Sequence, residues 1–260
     1  MTSQKTALIT GASGGIGLEL ARVFAKNHIN LVVTARSKEA LSILKSELEN
    51  DYGISVKVIT ANLSEYENAE DIYNVLKSEN IQVDYLVNNA GFGDYGKFHE
   101  SDRAKQEAMI NLNITALTSL THLFLKDMIR RKNGKILNVA STAAFQPGPL
   151  MSVYYATKAF VLHFSEAIAN ELQGSGITVT ALCPGPTESN FQKAANVENS
   201  PLFKGKIPTS RDVAEYGFKA MMAGKTVAIH GMKNKILRQA GRIAPRKILT
   251  AVVRKLQEMR

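Results

Sequence analysis

Tyr154 and Lys158 stand four apart in Tyr154-Tyr155-Ala156-Thr157-Lys158, a spacing that puts both side chains on one face of a helix. A free phenol, with a pKa of about 10, is a poor proton shuttle near neutrality. An ammonium group beside it stabilises phenolate, so Lys158 is expected to lower the Tyr154 pKa and make it an acid–base group. Tyr155 competes for this role but lacks the four-residue offset to Lys158. Ser141 follows the strand-like Asn138-Val139-Ala140 and can donate to an oxygen on which negative charge develops; a strand-end serine can also be a simple turn former. None of this chemistry calls for a metal. The five histidines are scattered, and the single cysteine, Cys183, closes a buried-looking strand and reads as a core residue.

A second group of residues is built from backbone. Thr10-Gly11-Ala12-Ser13-Gly14-Gly15-Ile16-Gly17 follows the first strand-like run, with glycines at 11, 15 and 17 in the pattern G-x-x-x-G-x-G. Glycine permits tight turning and close approach, and the helix that follows offers free N–H groups to a pyrophosphate. The second strand ends Thr34-Ala35-Arg36-Ser37, without the carboxylate that would select NAD at the ribose hydroxyls. Arg36 offers a guanidinium fork to a 2′-phosphate instead, so NADP(H) is the expected cofactor.

The elements that must position these groups alternate in type. Ala7–Thr10, Asn30–Thr34, Val56–Thr60, Tyr85–Asn88, Lys135–Val139, Thr178–Leu182 and Val227–His230 read as strands. Helical spacing fills Leu18–Lys26, Lys38–Glu49, Glu67–Lys77, Ala104–Arg131 and Ser152–Leu172. Such alternation predicts an α/β fold, a doubly wound parallel sheet covered by helices on both faces, with ligands beyond the carboxyl ends of the strands. The irregular stretch Pro184–Pro208 is expected to form a cover. The N-terminus has no signal-like run, and the absence of about 18 consecutive apolar residues argues against a spanning helix. With 45% hydrophobic and 21% charged residues, the 260-residue chain has the composition of a globular protein. Its cysteine usage fits a reducing, cytoplasmic setting.

With these motifs in order, the chain resembles the short-chain dehydrogenase/reductase family over roughly residues 5–231. The resemblance is carried by Thr10–Gly17, Asn88-Asn89-Ala90-Gly91, Ser141, Tyr154-x-x-x-Lys158 and Pro184-Gly185. It implies a single Rossmann-fold domain of about seven strands, with residues 232–260 as a basic helical extension, and a homodimer or homotetramer. It further implies that Ser141, thirteen residues before Tyr154, holds the substrate oxygen. Asn113 is implied to hold a water linking Lys158 to solvent, a role for which it suits the spacing to Ser141 better than Asn111. Gly11, Ser13, Gly14, Gly15, Ile16 and Gly17 would bind pyrophosphate, and Asn89, Ala90 and Gly91 would line the adenosine side. Asn62-Leu63 occupies the adenine position, where Asn replaces the family's frequent Asp. Pro184, Gly185 and Thr187 would face the nicotinamide, with Lys158 and Tyr154 near its ribose.

The net charge of +9 is local. Residues 225–260 hold ten of the 32 basic residues and one acid, Glu258, so the first 224 residues are balanced. Ile248, Leu249, Val252, Val253 and Leu256 have helical spacing, basic residues occupy much of the opposite face, and Pro245 divides the segment. A packing helix with a solvated basic face is the preferred reading. An interfacial anchor for anionic lipid, or a dock for an acidic substrate such as an acyl thioester, is the alternative. No nucleic-acid motif accompanies the charge.

Together these observations predict an NADP(H)-dependent oxidoreductase interconverting a carbonyl and an alcohol. The small-molecule substrate is apolar or acyl-chain-like, met by Phe145, Leu150, Met151 and Phe191. A non-catalytic NADP(H)-binding sensor and a peripheral membrane protein are the rival readings.

Overall fold

β-branched and aliphatic residues fill seven short runs that alternate between two buried faces: β1 (Thr6–Thr10), β2 (Asn30–Ala35), β3 (Val56–Thr60), β4 (Tyr85–Asn88), β5 (Gly134–Val139), β6 (Ile177–Cys183) and β7 (Val227–Ile229). In the computed structural model, which describes residues 4–198, 200–201, 205 and 207–258, they form one parallel sheet of order β3-β2-β1-β4-β5-β6-β7. The sequence-expected strands coincide with these within one or two residues; β7 stops before His230.

The helices among the described residues are α1 (Gly15–Lys26), α2 (Lys38–Tyr52), α3 (Asn68–Ser78), α4 (Arg103–Ile110), α5 (Leu117–Arg131), α6 (Ser152–Glu171), α7 (Phe191–Ala194), α8 (Ser210–Met222), α9 (Met232–Ile243) and α10 (Arg246–Gln257). Ala7 and Ile9 of β1 face a core layer shared with α1, α2 and α8, whereas Leu8 faces the layer under α3 and α5. Local signals set the helix ends. Ser37 accepts from the Ala40 N–H at the start of α2, Gly53 ends it at φ +63°, and Thr209 and Asp212 form a reciprocal capping box on α8.

The expected regular helix Ala104–Arg131 is instead α4 and α5 joined through a π-helical turn, Asn111–Ala116. Asn113 lies inside this turn, with both ends of its amide bonded to a neighbouring loop, which rewards the local widening of the helix. By length and a mean hydropathy of 1.3, Arg103–Arg131 could cross a membrane, a helix that the search for an unbroken apolar run passes over. Here Leu117, Leu120, Phe124 and Met128 are buried, and Thr121 Oγ1 accepts from Asn88 on the sheet.

All strands point the same way, and the chain reverses direction across the sheet between β1 and β4. The turn after β1 and the Asn89–Gly91 segment after β4 therefore meet at the carboxyl edge, the topological switch point where ligands bind in such sheets.

Candidate active site

At the switch point the sequence-selected backbone is tightly interlocked. Gly11 and Gly15 have φ of +69° and +55°, in the left-handed region that favours glycine. A Cβ on Gly17 would lie 2.2 Å from the Gly11 carbonyl oxygen, so no side chain fits there. Thr10 Oγ1 accepts from the N–H groups of Asn89 (3.0 Å) and Ala90 (2.9 Å), and Asn89 Nδ2 donates to the Thr10 and Gly11 carbonyls. The N-cap of α1, Gly14, offers no side chain, leaving the helix start beside Ser13, Gly15 and Ile16 open to an anion. Arg36 is exposed directly after β2. Asn62 lies just past β3, where its amide donates to Glu65 and accepts from the Ser64 N–H, and Leu63 beside it is buried.

Ser141, Tyr154, Lys158 and Asn113 are brought together near the ends of β4 and β5. Ser141 caps a short 3-10 turn, accepting from the Ala143 N–H at 3.1 Å; its hydroxyl donates to the Pro184 carbonyl at 3.5 Å and lies beside the Tyr154 phenol. Tyr154 is half-buried in the first turns of α6. Lys158 is buried; its Nζ donates to the Val139 carbonyl at 2.8 Å and lies 5.9 Å from the Tyr154 ring centre. Asn113 is buried, whereas Asn111 is exposed. Its Oδ1 accepts from the Phe92 N–H at 3.1 Å, and its Nδ2 donates to the Phe92 carbonyl and to Thr157 Oγ1, each at 3.0 Å. A Cβ on Gly91 would stand 2.9 Å from Asn113 Oδ1 and 3.4 Å from Lys158 Nζ, so glycine makes room for both.

Beneath these groups runs a buried chain of bonds. Asn88 Nδ2 donates to Thr121 Oγ1 and Asn138 Oδ1, Asn138 Nδ2 donates to Ser165 Oγ, and Ser165 Oγ donates to the Val161 carbonyl. This ties β4 and β5 to α5 and α6 and fixes the helix that carries Tyr154 and Lys158. Thr142 N–H donates to the Pro184 carbonyl at 2.8 Å, and Thr187 Oγ1 donates to the Gly185 carbonyl at 2.9 Å. Pro184, Gly185 and Thr187 thus sit across the same edge from Ser141.

The expected lowering of the Tyr154 pKa by Lys158 is not what the structure yields. Burial is the dominant influence and raises the phenol above the ordinary tyrosine value, with Ser141 opposing the rise and Tyr155 adding to it. Burial also lowers the Lys158 ammonium to about 8. The reason is desolvation: Lys158 directs its proton at a carbonyl and not at the phenol, and the remaining partners do not offset the loss of water around either group. Tyr154 is held as a protonated acid. At Cys183, buried in β6, burial again dominates and pushes the thiol up to about 12, the behaviour of a packed core residue.

Several site residues escaped the sequence reading. Thr157, within the Tyr154–Lys158 interval, donates to the Tyr154 carbonyl and accepts from Asn113. Gly93 leaves space for Tyr154, Met151 and Phe191; its Cβ would lie 2.8 Å from Phe191 Cζ. The tail supplies Leu249 and Val253 to the apolar cluster containing Met151, Tyr154 and Phe191. Gln257 Nε2 donates to the Tyr155 hydroxyl. Of the expected apolar contacts, Met151 and Phe191 join this cluster; Phe145 packs separately, under the Arg238 guanidinium. Leu150 adopts φ +68° and accepts from the Gly96 N–H.

A model of the short chain dehydrogenase family matches residues 5–200. The chain belongs to this family. It is 36% identical over 194 residues to 17-beta-hydroxysteroid dehydrogenase type 3 of Mus musculus, covering 73% of this chain and 62% of that one. It is 36% identical over 185 residues to the very-long-chain 3-oxoacyl-CoA reductase of Anas platyrhynchos, covering 68% and 58%. The chain thus spans about three fifths of the length of these curated relatives. Among solved structures, a short-chain dehydrogenase from Sphingobium yanoikuyae in complex with NADPH superposes with a TM-score of 0.82 at 30% identity, covering 98% of each chain.

Proposed function

We propose that this chain is an NADP(H)-dependent oxidoreductase that interconverts a carbonyl and an alcohol. One observation carries the proposal: Ser141, the Tyr154 phenol and buried Lys158 meet at the sheet edge that also holds the glycine turn. The turn fits a dinucleotide, since α1 starts without a side-chain cap and Gly11 and Gly17 let the turn pack tightly on itself and on Asn89 and Ala90. Arg36 follows β2 with no acid in Thr34–Ser37, which suits a 2′-phosphate. NADPH, the cofactor in the Sphingobium structure, supplies hydride to the carbonyl carbon.

The chain's own residues do the rest. Ser141 holds the substrate oxygen and Tyr154 delivers its phenolic proton to it, so charge never accumulates on that atom. With the cofactor bound, Lys158 and Thr187 would hold the nicotinamide ribose and carboxamide, while Asn113 positions the loop that faces Lys158. Met151, Phe191 and Leu249 around Tyr154 favour an apolar ketone, either steroid-like or acyl-chain-like, in keeping with the names of the relatives. We place the reaction in the cytoplasm on cysteine usage.

The test is NADPH oxidation across small, bulky and long-chain ketones, repeated with NADH. Tyr154→Phe is expected to bind NADPH while losing about 10²–10⁴-fold in turnover. A wild-type chain inert over the whole panel would overturn the enzymatic reading in favour of a sensor. Activity confined to small polar ketones would remove the substrate class.

A further inference from the structure

α9 and α10 each have two apolar or packing faces, and only one is used. α9 turns Asn234, Arg238 and Gly241 inward: Asn234 lies against Gly185, and Arg238 lies over Phe145. Its opposite stripe of Met232, Ile236 and Ile243 is 68%, 62% and 87% exposed. α10 buries Val253 and Gln257 beside Tyr155, yet Ile248, Val252 and Leu256, spaced four apart, are 58%, 49% and 47% exposed. Lys233, Lys235, Arg242, Lys247 and Lys255 flank these stripes. Among the described residues the only ion pair in this segment is Arg254–Glu258.

We infer that the outer faces of α9 and α10 dock on an anionic lipid surface. Large aliphatic side chains on a helix flanked by uncompensated lysine and arginine form the pattern that partitions to an interface: the apolar stripe enters the acyl boundary and the cations meet the headgroups. Charge decides against a second copy of the chain, because a two-fold contact sets each patch against itself and would bring the whole excess of positive charge together. Since the inner faces of the same helices pack beside Tyr155 and Phe145, docking sets the candidate active site close to the lipid.

Co-sedimentation of the full chain with phosphatidylcholine vesicles, with or without phosphatidylglycerol, tests this. Binding is expected only to the anionic vesicles and should fall as salt rises. The double variant Ile236→Glu/Ile248→Glu, and independently Lys247→Gln/Lys255→Gln, should each reduce partitioning by about tenfold or more, with ketone reduction in vesicle-free solution unchanged. No sedimentation with anionic vesicles, or equal sedimentation of wild type and both variants, overturns the inference. So does a shift from dimer to monomer in the variants by light scattering, which would assign the face to a second copy. Sedimentation reads docking without turnover, so its failure leaves the catalytic proposal standing.

Discussion

Around β4 and β5, the amide nitrogens of Asn88 and Asn138 are spent on Thr121, Asn138 and Ser165 inside the contact between sheet and helices. In α9 and α10 the pattern is inverted: apart from Arg254, paired with Glu258, the cations stand without acids among the described residues, and aliphatic side chains face outward. The two regions touch at Gln257 and Tyr155, next to Tyr154. Buried polar groups must be partnered, so the first region is rigid and tolerates little change. The second commits one face to the site and leaves the other for a surrounding medium. The catalytic groups are therefore held from the sheet, while the tail closes over them through Leu249, Val253 and Gln257.

The largest effect expected to sharpen this contrast comes from Lys158. Its ammonium falls from 10.5 to about 8 on folding, so the unfolded chain binds more protons between these values. Relative to Lys158→Met, in which Cys183 titrates alike, wild-type stability should rise with pH across that window by about 3 kcal/mol. Urea unfolding of both chains across pH 8–10.5 reads that difference; an identical pH slope in both would show that Lys158 is not desolvated. Next in size, Asn138→Ala should cost about 1–3 kcal/mol, since it strips Asn88 and Ser165 of a buried partner. An unchanged urea midpoint would show that the network does not hold α6. Smallest is Gln257→Leu. Gln257 Oε1 is buried without a partner, so leucine removes one bond and one orphan together. Stability should stay within about 1 kcal/mol of wild type. A larger loss, measured with a matching drop in NADPH oxidation, would make the tail part of the site's framework and erase the distinction between the regions.

Much of the fold was legible because strand and helix periodicities are local. The seven strands fall where short β-branched runs stand, and the glycine turn lies directly after the first. The π-turn at Asn111–Ala116 was not legible, because its cause, a bidentate bond between Asn113 and the Phe92 backbone, joins segments 21 residues apart. Gly93 carried a partial signal in Gly91-Phe92-Gly93, but the crowding by Phe191 that requires it comes from across the site. The Lys158–Tyr154 relation shows the limit of spacing. Four residues put both side chains on one face, but the rotamer that sends Nζ to the Val139 carbonyl depends on where β5 ends.

By itself the sequence determined the element order, the parallel sheet, the glycine turn and the shared face of Tyr154 and Lys158, since each rests on residue type and short-range spacing; Ser141 joined them through the family resemblance. The tertiary structure alone decided how those groups ionise and which tail face is free. Desolvation and packing depend on what surrounds a side chain, and those surroundings are assembled from segments distant in the chain.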